Sequence, residues 1–166
     1  MALTYEPITS TTLGASATTI TLSSIAASWT DLKLILTATS VSAGGTTYAN
    51  FNGVTSAVYS WIHLIGTGGA ATTAVSNPSN IIFFNGISVG SITTNLNIID
   101  ILGYADTTLY KTVLNRYTCD SNTASNENAL TAGSFKSTAA ITSITLTNSN
   151  VFAAGTTVTL FGIKAA

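Results

Sequence analysis

A chain of 166 residues and 17.0 kDa, with 46% apolar and 7% charged residues and a formal net charge of −1, fits one domain, residues 1–166, whose core needs no disulfide staples. Ordinary soluble domains carry about 25% charged residues, so a surface this poor in Lys, Arg, Asp and Glu is expected to be largely covered by other subunits. The five basic residues, Lys33, Lys111, Arg116, Lys136 and Lys164, are scattered, which excludes a phosphate-binding field and with it nucleic acid as a partner.

The mean hydropathy is +0.45, but the longest apolar stretch, around Asn97 to Tyr104, contains Asp100 and falls well short of the roughly 18 residues of a membrane-spanning helix. No membrane role is expected. The opening MALTYEPITS lacks a positive segment followed by an apolar one, so no secretory signal is read and the product is expected to stay in the cytosol of the cell that makes it. Cys119 stands alone, with no disulfide partner and no metal-ligand cluster, and reads as a small buried apolar residue.

Taken in chain order, the predicted strands are Thr4 to Thr9, Thr19 to Leu22, Leu32 to Val41, Ala49 to Asn52, Val58 to Ile65 and Asn80 to Phe84. They continue with Asn95 to Tyr104, Leu109 to Thr118, Ala129 to Phe135, Thr142 to Thr147 and Thr157 to Leu160. Thr recurs at every second position beside Ile, Leu or Val, the period of a half-buried strand, and its hydroxyl wets the outward face without a charge. Turn signals separate the strands: Gly44-Gly45, Asn52-Gly53, Gly68-Gly69, Asn77-Pro78, Asn85-Gly86, Asp106-Thr107 and the polar run Asp120 to Asn128. Helical periodicity is almost missing, and an all-β domain follows.

So many one-sided strands are covered most simply by an antiparallel β-sandwich, and a jelly roll is the expected form. Leu32, Leu34, Leu36 and Ala38 should face the core, while Lys33, Ile35, Thr37 and Thr39 face out. Ile35 on that outer face already implies a covering partner. An open sandwich also leaves strand edges, which monomers blunt with Lys, Pro or inward charges. Two prolines and five basic residues are few for that task, so a symmetric homo-oligomer or lattice is expected to cover some edges.

Chemistry is sparse. His63, in Ser60-Trp61-Ile62-His63-Leu64, has no carboxylate or nucleophile placed for it and reads as a strand histidine with a local hydrogen bond. The six acids, Glu6, Asp31, Asp100, Asp106, Asp120 and Glu127, form no pattern of paired carboxylates. Asp100, flanked by isoleucines and leucine, is expected to pair with Arg116 or Lys111 on the next strand. The oxygen-rich run Asp120 to Asn128 fails the EF-hand pattern, with Ala124 at the third ligand position, and reads as a solvated loop. No catalytic, cofactor or metal site is therefore expected, and the chain is read as a non-enzyme. Tyr48, Tyr59 and Trp61 lie near the Gly-rich stretch Gly66 to Gly69, where aromatics either pack or stack on a sugar ring.

Tyr5 to Ile25 (YEPITSTTLGASATTITLSSI), Tyr104 to Arg116 (YADTTLYKTVLNR) and Ser137 to Ala166 (STAAITSITLTNSNVFAAGTTVTLFGIKAA), with the closing FGIK as the most specific part, resemble small structural proteins of tailed-bacteriophage virions, cyanophages especially. The resemblance implies a jelly-roll capsid cement or decoration protein. Its partners would be its own copies, as a homotrimer, and the major capsid protein, and its location the virion. The competing expectation is a tail or baseplate adhesin that binds a host surface glycan through loop aromatics such as Tyr59 and Trp61.

Overall fold

The computed structural model describes residues 4–39, 45–67, 69–86, 94–120 and 127–164. Wherever Thr, Val, Ile or Leu alternate with small polar residues the backbone is extended, and the described residues form twelve strands and no helix. They are β1 (Thr4–Thr12), β2 (Ala17–Leu22), β3 (Asp31–Thr39), β4 (Thr46–Phe51), β5 (Tyr59–Thr67) and β6 (Ala70–Ser79), then β7 (Ile82–Gly86), β8 (Thr94–Leu102), β9 (Lys111–Asp120), β10 (Glu127–Phe135), β11 (Ile144–Phe152) and β12 (Thr157–Lys164).

Two antiparallel sheets share them. The larger has the order β1-β12-β3-β8-β9-β10-β5-β6 and the smaller β2-β11-β4-β7. From β1 to β5 the chain changes sheet at every connection, and later it returns to the smaller sheet for β7 and β11. This winding is that of an antiparallel β-sandwich and is compatible with a jelly roll.

The alternation expected of β3 holds: Leu32, Leu34, Leu36 and Ala38 are fully buried, while Lys33, Ile35 and Thr37 lie half-buried on the outer face. Register extends that inner face across the sheet. Leu32, Ile101, Val113, Gly133 and Trp61 form one row, and Leu34, Ile99, Asn115, Thr131 and His63 the next. Against the apolar end of this layer the smaller sheet presents Leu22, Ile20, Phe51, Ala49, Ile144, Leu146 and Ile82. Burial of each large aliphatic or aromatic side chain here stabilises the fold by about 1.5–3 kcal/mol before entropy is counted.

The closing FGIK has a structural reason. A Cβ on Gly162 would lie 2.1 Å from Cδ2 of Trp29, so only glycine lets the indole lie flat on β12. Lys164 then places its ammonium 4.8 Å from the centre of the same ring, a cation–π contact.

Asn52-Gly53 and Asp106-Thr107 lie between strands as expected, and Asn77-Pro78 does not. Asn52 and Gly53 both take positive φ, 54° and 67°, and the Asn52 side chain clasps the start of β11, accepting from Thr142 N at 2.8 Å and donating to Ala140 O at 2.8 Å. Thr67 pairs with Ala70 where β5 hands over to β6, and Gly68 of the expected Gly68-Gly69 turn lies outside the described residues. Asn77-Pro78, expected as a turn, lies inside β6, and Asn85-Gly86 ends β7. Proline is tolerated in β6 because this is an edge strand, where a missing N–H costs no ladder bond. Asp120, Glu127 and Asn128 belong to the β9 and β10 strands rather than to a loop. Residues 121–126, with most of the oxygen-rich run, and residues 40–44, with Gly44 and the end of the predicted third strand, lie outside the described residues.

Both prolines fall on the two edges of the larger sheet, each beside a register shift: Pro7 in β1 and Pro78 in β6. None of the five basic residues lies on an edge strand, and Glu6 is the single charged residue of β1, β2, β6 and β7. Register shifts also mark the pairings of the smaller sheet's edges, β2 with β11 and β7 with β4, so the edges are interrupted by irregularities and almost nowhere by charge.

Candidate functional site

Asp100 sits on the outer face of the larger sheet, opposite Lys33 in the β3–β8 register. It accepts from the Lys33 ammonium and, at 3.0 Å, from Arg116 Nη2. Of the two expected partners Arg116 is correct and Lys111 is not. Lys111 points to the opposite face, because alternation along β9 sends positions 111 and 113 inward when 114 and 116 face out. A carboxylate flanked by apolar residues in sequence is thereby held in a three-residue surface cluster.

His63 is buried and Nδ1 lies 2.8 Å from Thr131 Oγ1. That hydroxyl donates to Phe84 O at 3.3 Å, so it accepts from His63, which places the imidazole proton on Nδ1. The ring meets Phe83 edge-on at 4.8 Å, and Phe83 stacks on Trp61 at 4.9 Å. Burial pushes the His63 pKa below its ordinary value. The unfolded chain therefore takes up a proton near 6.5 that the folded chain resists, and His63 destabilises the fold as pH falls from about 7 to 5 and has no such effect above 7. Urea unfolding midpoints measured across this range should drop in the wild type and drop less in His63→Gln.

His63 belongs to a wider polar layer between the sheets. Register sets Leu36, Asn97, Tyr117, Ala129 and Ile65 in one row and Ala38, Asn95, Cys119, Glu127 and Thr67 in the next. Asn95, Asn97, Asn115, Tyr117, Cys119, Glu127 and Thr131 are all buried, and the facing pair Thr47 and Asn148 completes the layer from the smaller sheet. Asn115 Nδ2 donates to Phe84 O at 2.9 Å and Tyr117 Oη to Asn95 Oδ1 at 3.2 Å. Cys119 is free and buried, as read from its isolation. This layer holds one histidine and one carboxylate, and no group of three His, Cys, Asp or Glu that could hold a metal occurs among the described residues.

Asp31 and Asp106 accept backbone hydrogen bonds. Asp31 Oδ1 accepts from Gly103 N at 2.7 Å. Asp106 Oδ1 accepts from Thr108 N, Thr108 Oγ1 and Leu109 N at 2.6, 2.7 and 3.0 Å, and these bonds, with Thr108 first, hold its carboxyl below the usual range. Tyr59 is fully buried in the aromatic core, and Trp61 is half-buried against Phe83 with Nε1 donating to Ser79 Oγ at 3.2 Å. Tyr59 thus packs rather than offering a ring to a sugar.

What the surface does offer is an apolar sheet face over β6, β5 and β10 that carries no charge until it reaches the Lys33–Asp100–Arg116 cluster on β3, β8 and β9. Val75, Ile62, Ala132 and Leu114 lie side by side across β6, β5, β10 and β9, and Thr73, Leu64, Leu130, Arg116, Ile98 and Ile35 fill the neighbouring row. Val75 is 70% exposed, Ile62 53%, Leu64 47% and Leu130 38%. A shallow groove of about 480 Å³ runs along it between Ile62, Val75 and Ala132. The signal in sequence was Tyr59-Ser-Trp-Ile-His-Leu-Ile65, apolar at both parities, which a strand with one wet face does not need.

No family model, no curated protein and no solved structure matches this chain.

Proposed function

We propose that the chain is a non-enzymatic structural subunit of a tailed-phage virion, a cement or decoration protein that assembles as a homotrimer and bridges neighbouring major capsid subunits. The observation that carries this reading is the exposed, uncharged apolar face of β5, β6 and β10 in a chain whose edge strands carry one charge among them. Contiguous apolar surface of this kind is a liability for a free monomer and a resource for a lattice component. Each contact is weak, and repetition over the shell makes the sum strong.

Ile62→Asp combined with Leu130→Asp should weaken retention on purified shells at least tenfold while leaving the unfolding midpoint nearly unchanged, because both side chains point to solvent in the isolated subunit. Contacts built from apolar groups and hydroxyls are little screened, so wild-type retention should persist in molar NaCl. Shells that resist heat equally well without the protein, or retention lost on adding salt, would sink the reading.

A further inference from the structure

We propose that β6 is the edge through which two copies of this chain join, by antiparallel pairing of β6 with the β6 of a second copy across a two-fold axis. This rests on the reading of the chain as an assembly subunit and specifies one surface of that assembly.

β6 ends the larger sheet, and among the described residues its only strand neighbour is β5. The outer row of N–H and C=O groups along such an edge is satisfied geometrically by another extended strand. Side chains from Ala70 to Val75 are exposed on both faces, while β7 of the smaller sheet packs on β5, β9 and β10. No other edge combines these features: β1 has Glu6, Pro7 and a bulge after Pro7, β7 has five residues, and β2 has six, with Ile20 and Leu22 already buried.

The occupant follows from self-complementarity. An isologous antiparallel contact opposes the axial residue to its own copy and sets residues equally far on either side of it opposite one another, so a charge near the axis would be brought close to its own copy. β6 reads Ala-Ala-Thr-Thr-Ala-Val-Ser-Asn-Pro-Ser and has none. Ala71, Thr73 and Val75 share the outer face with Leu64 and Ile62, so pairing would run the apolar rows of the two copies together across the axis. The bulge at Asn77-Pro78 stops the ladder, which leaves Ala70 to Ser76 as the usable length and puts the axis near its centre, Thr73. In a trimer, each such edge would link a subunit to a neighbouring trimer across a two-fold axis.

The test is a cysteine scan of the full chain, Ala71→Cys, Thr72→Cys, Thr73→Cys, Ala74→Cys and Val75→Cys, under mild oxidation, with native Cys119 buried. Only the residue on the axis meets its own copy, at about 4.5–5.5 Å between Cα atoms, within disulfide reach. The one axial position should give covalent dimers rapidly, and the other four slowly. Thr73→Lys should weaken self-association at least tenfold by sedimentation velocity without lowering the unfolding midpoint. Five uniformly slow cysteines, or a Thr73→Lys variant that associates like the wild type, overturn the proposal. Shell binding by a Thr73→Lys variant that still self-associates would leave the virion reading standing and remove this one, whereas β6 cross-linking in a protein that ignores shells would do the reverse.

Discussion

Replacing Lys111 by methionine is expected to lower the unfolding free energy by about 2–3 kcal/mol, the cost of leaving buried backbone carbonyls without their donor. Lys111 is fully buried, and its ammonium donates to three backbone carbonyls, those of Asp106, Leu109 (2.9 Å) and Thr138 (3.1 Å). It is thus the clamp that holds the connection between β8 and β9 onto the segment after β10. Burial pushes its pKa down, and the nearby Asp106 carboxylate opposes that shift. Methionine keeps most of the volume and removes every donor, leaving the three carbonyls without their shared partner. Urea unfolding should show a lower midpoint with an unchanged slope. A loss below about 1 kcal/mol would mean that water reaches these carbonyls readily and that the clamp is not structural.

The second large effect is expected at Tyr59. Its ring stacks on Phe135 at 5.0 Å and tilts against Phe51 at 6.1 Å, while its hydroxyl accepts from Phe51 N at 3.0 Å and donates to Val54 O at 2.9 Å. Burial pushes the phenol pKa up, so the group stays neutral and keeps donating above the usual tyrosine range. Tyr59→Ala removes the ring and leaves a cavity, at about 3–5 kcal/mol. Tyr59→Phe keeps the packing and orphans the Phe51 N–H, at about 1–3 kcal/mol. The ordering of the two, read from denaturant midpoints, separates ring from hydroxyl. Equal losses would place the whole contribution in the hydrogen bonds. A Tyr59→Phe protein of wild-type stability that fails to bind a host glycan would instead restore the adhesin reading.

Strands with strong alternation were legible, and strands without it were not. Leu32 to Ala38 and Thr142 to Thr147 announce their buried faces because every second residue is large and apolar. β6 escaped because Ala-Ala-Thr-Thr-Ala-Val has little apolar mass, and because its Asn-Pro pair carries the ordinary signature of a turn. On an edge the same pair makes a bulge instead, a distinction that depends on neighbours far away in sequence. The polar layer of Asn95, Asn97, Asn115 and His63 was hidden for a related reason. Alternating Asn in a strand reads as a wet face, and only the position of the smaller sheet puts these residues inside.

The candidate surface shows the same division. Low charge and Ile35 on the outer face of β3 pointed to a covered surface, yet neither says which side chains meet. Register does, setting Val75, Ile62, Ala132 and Leu114 in one row from four strands. Asp100 illustrates the limit most sharply: its need for a cationic partner was evident, and Arg116 was identified. Lys33, sixty-seven residues away, was not.

By itself the sequence determined the all-β class, the near-chargeless surface and the inward face of the strongly patterned strands, because period and composition act locally along the chain. Sheet order, the edge position of β6, the burial of Lys111 and the Lys33–Asp100–Arg116 cluster were decided only in the tertiary structure. Each depends on which distant strands become neighbours, and strand pairing is set by the summed burial and hydrogen bonding of the whole sandwich, which no local window of residues contains.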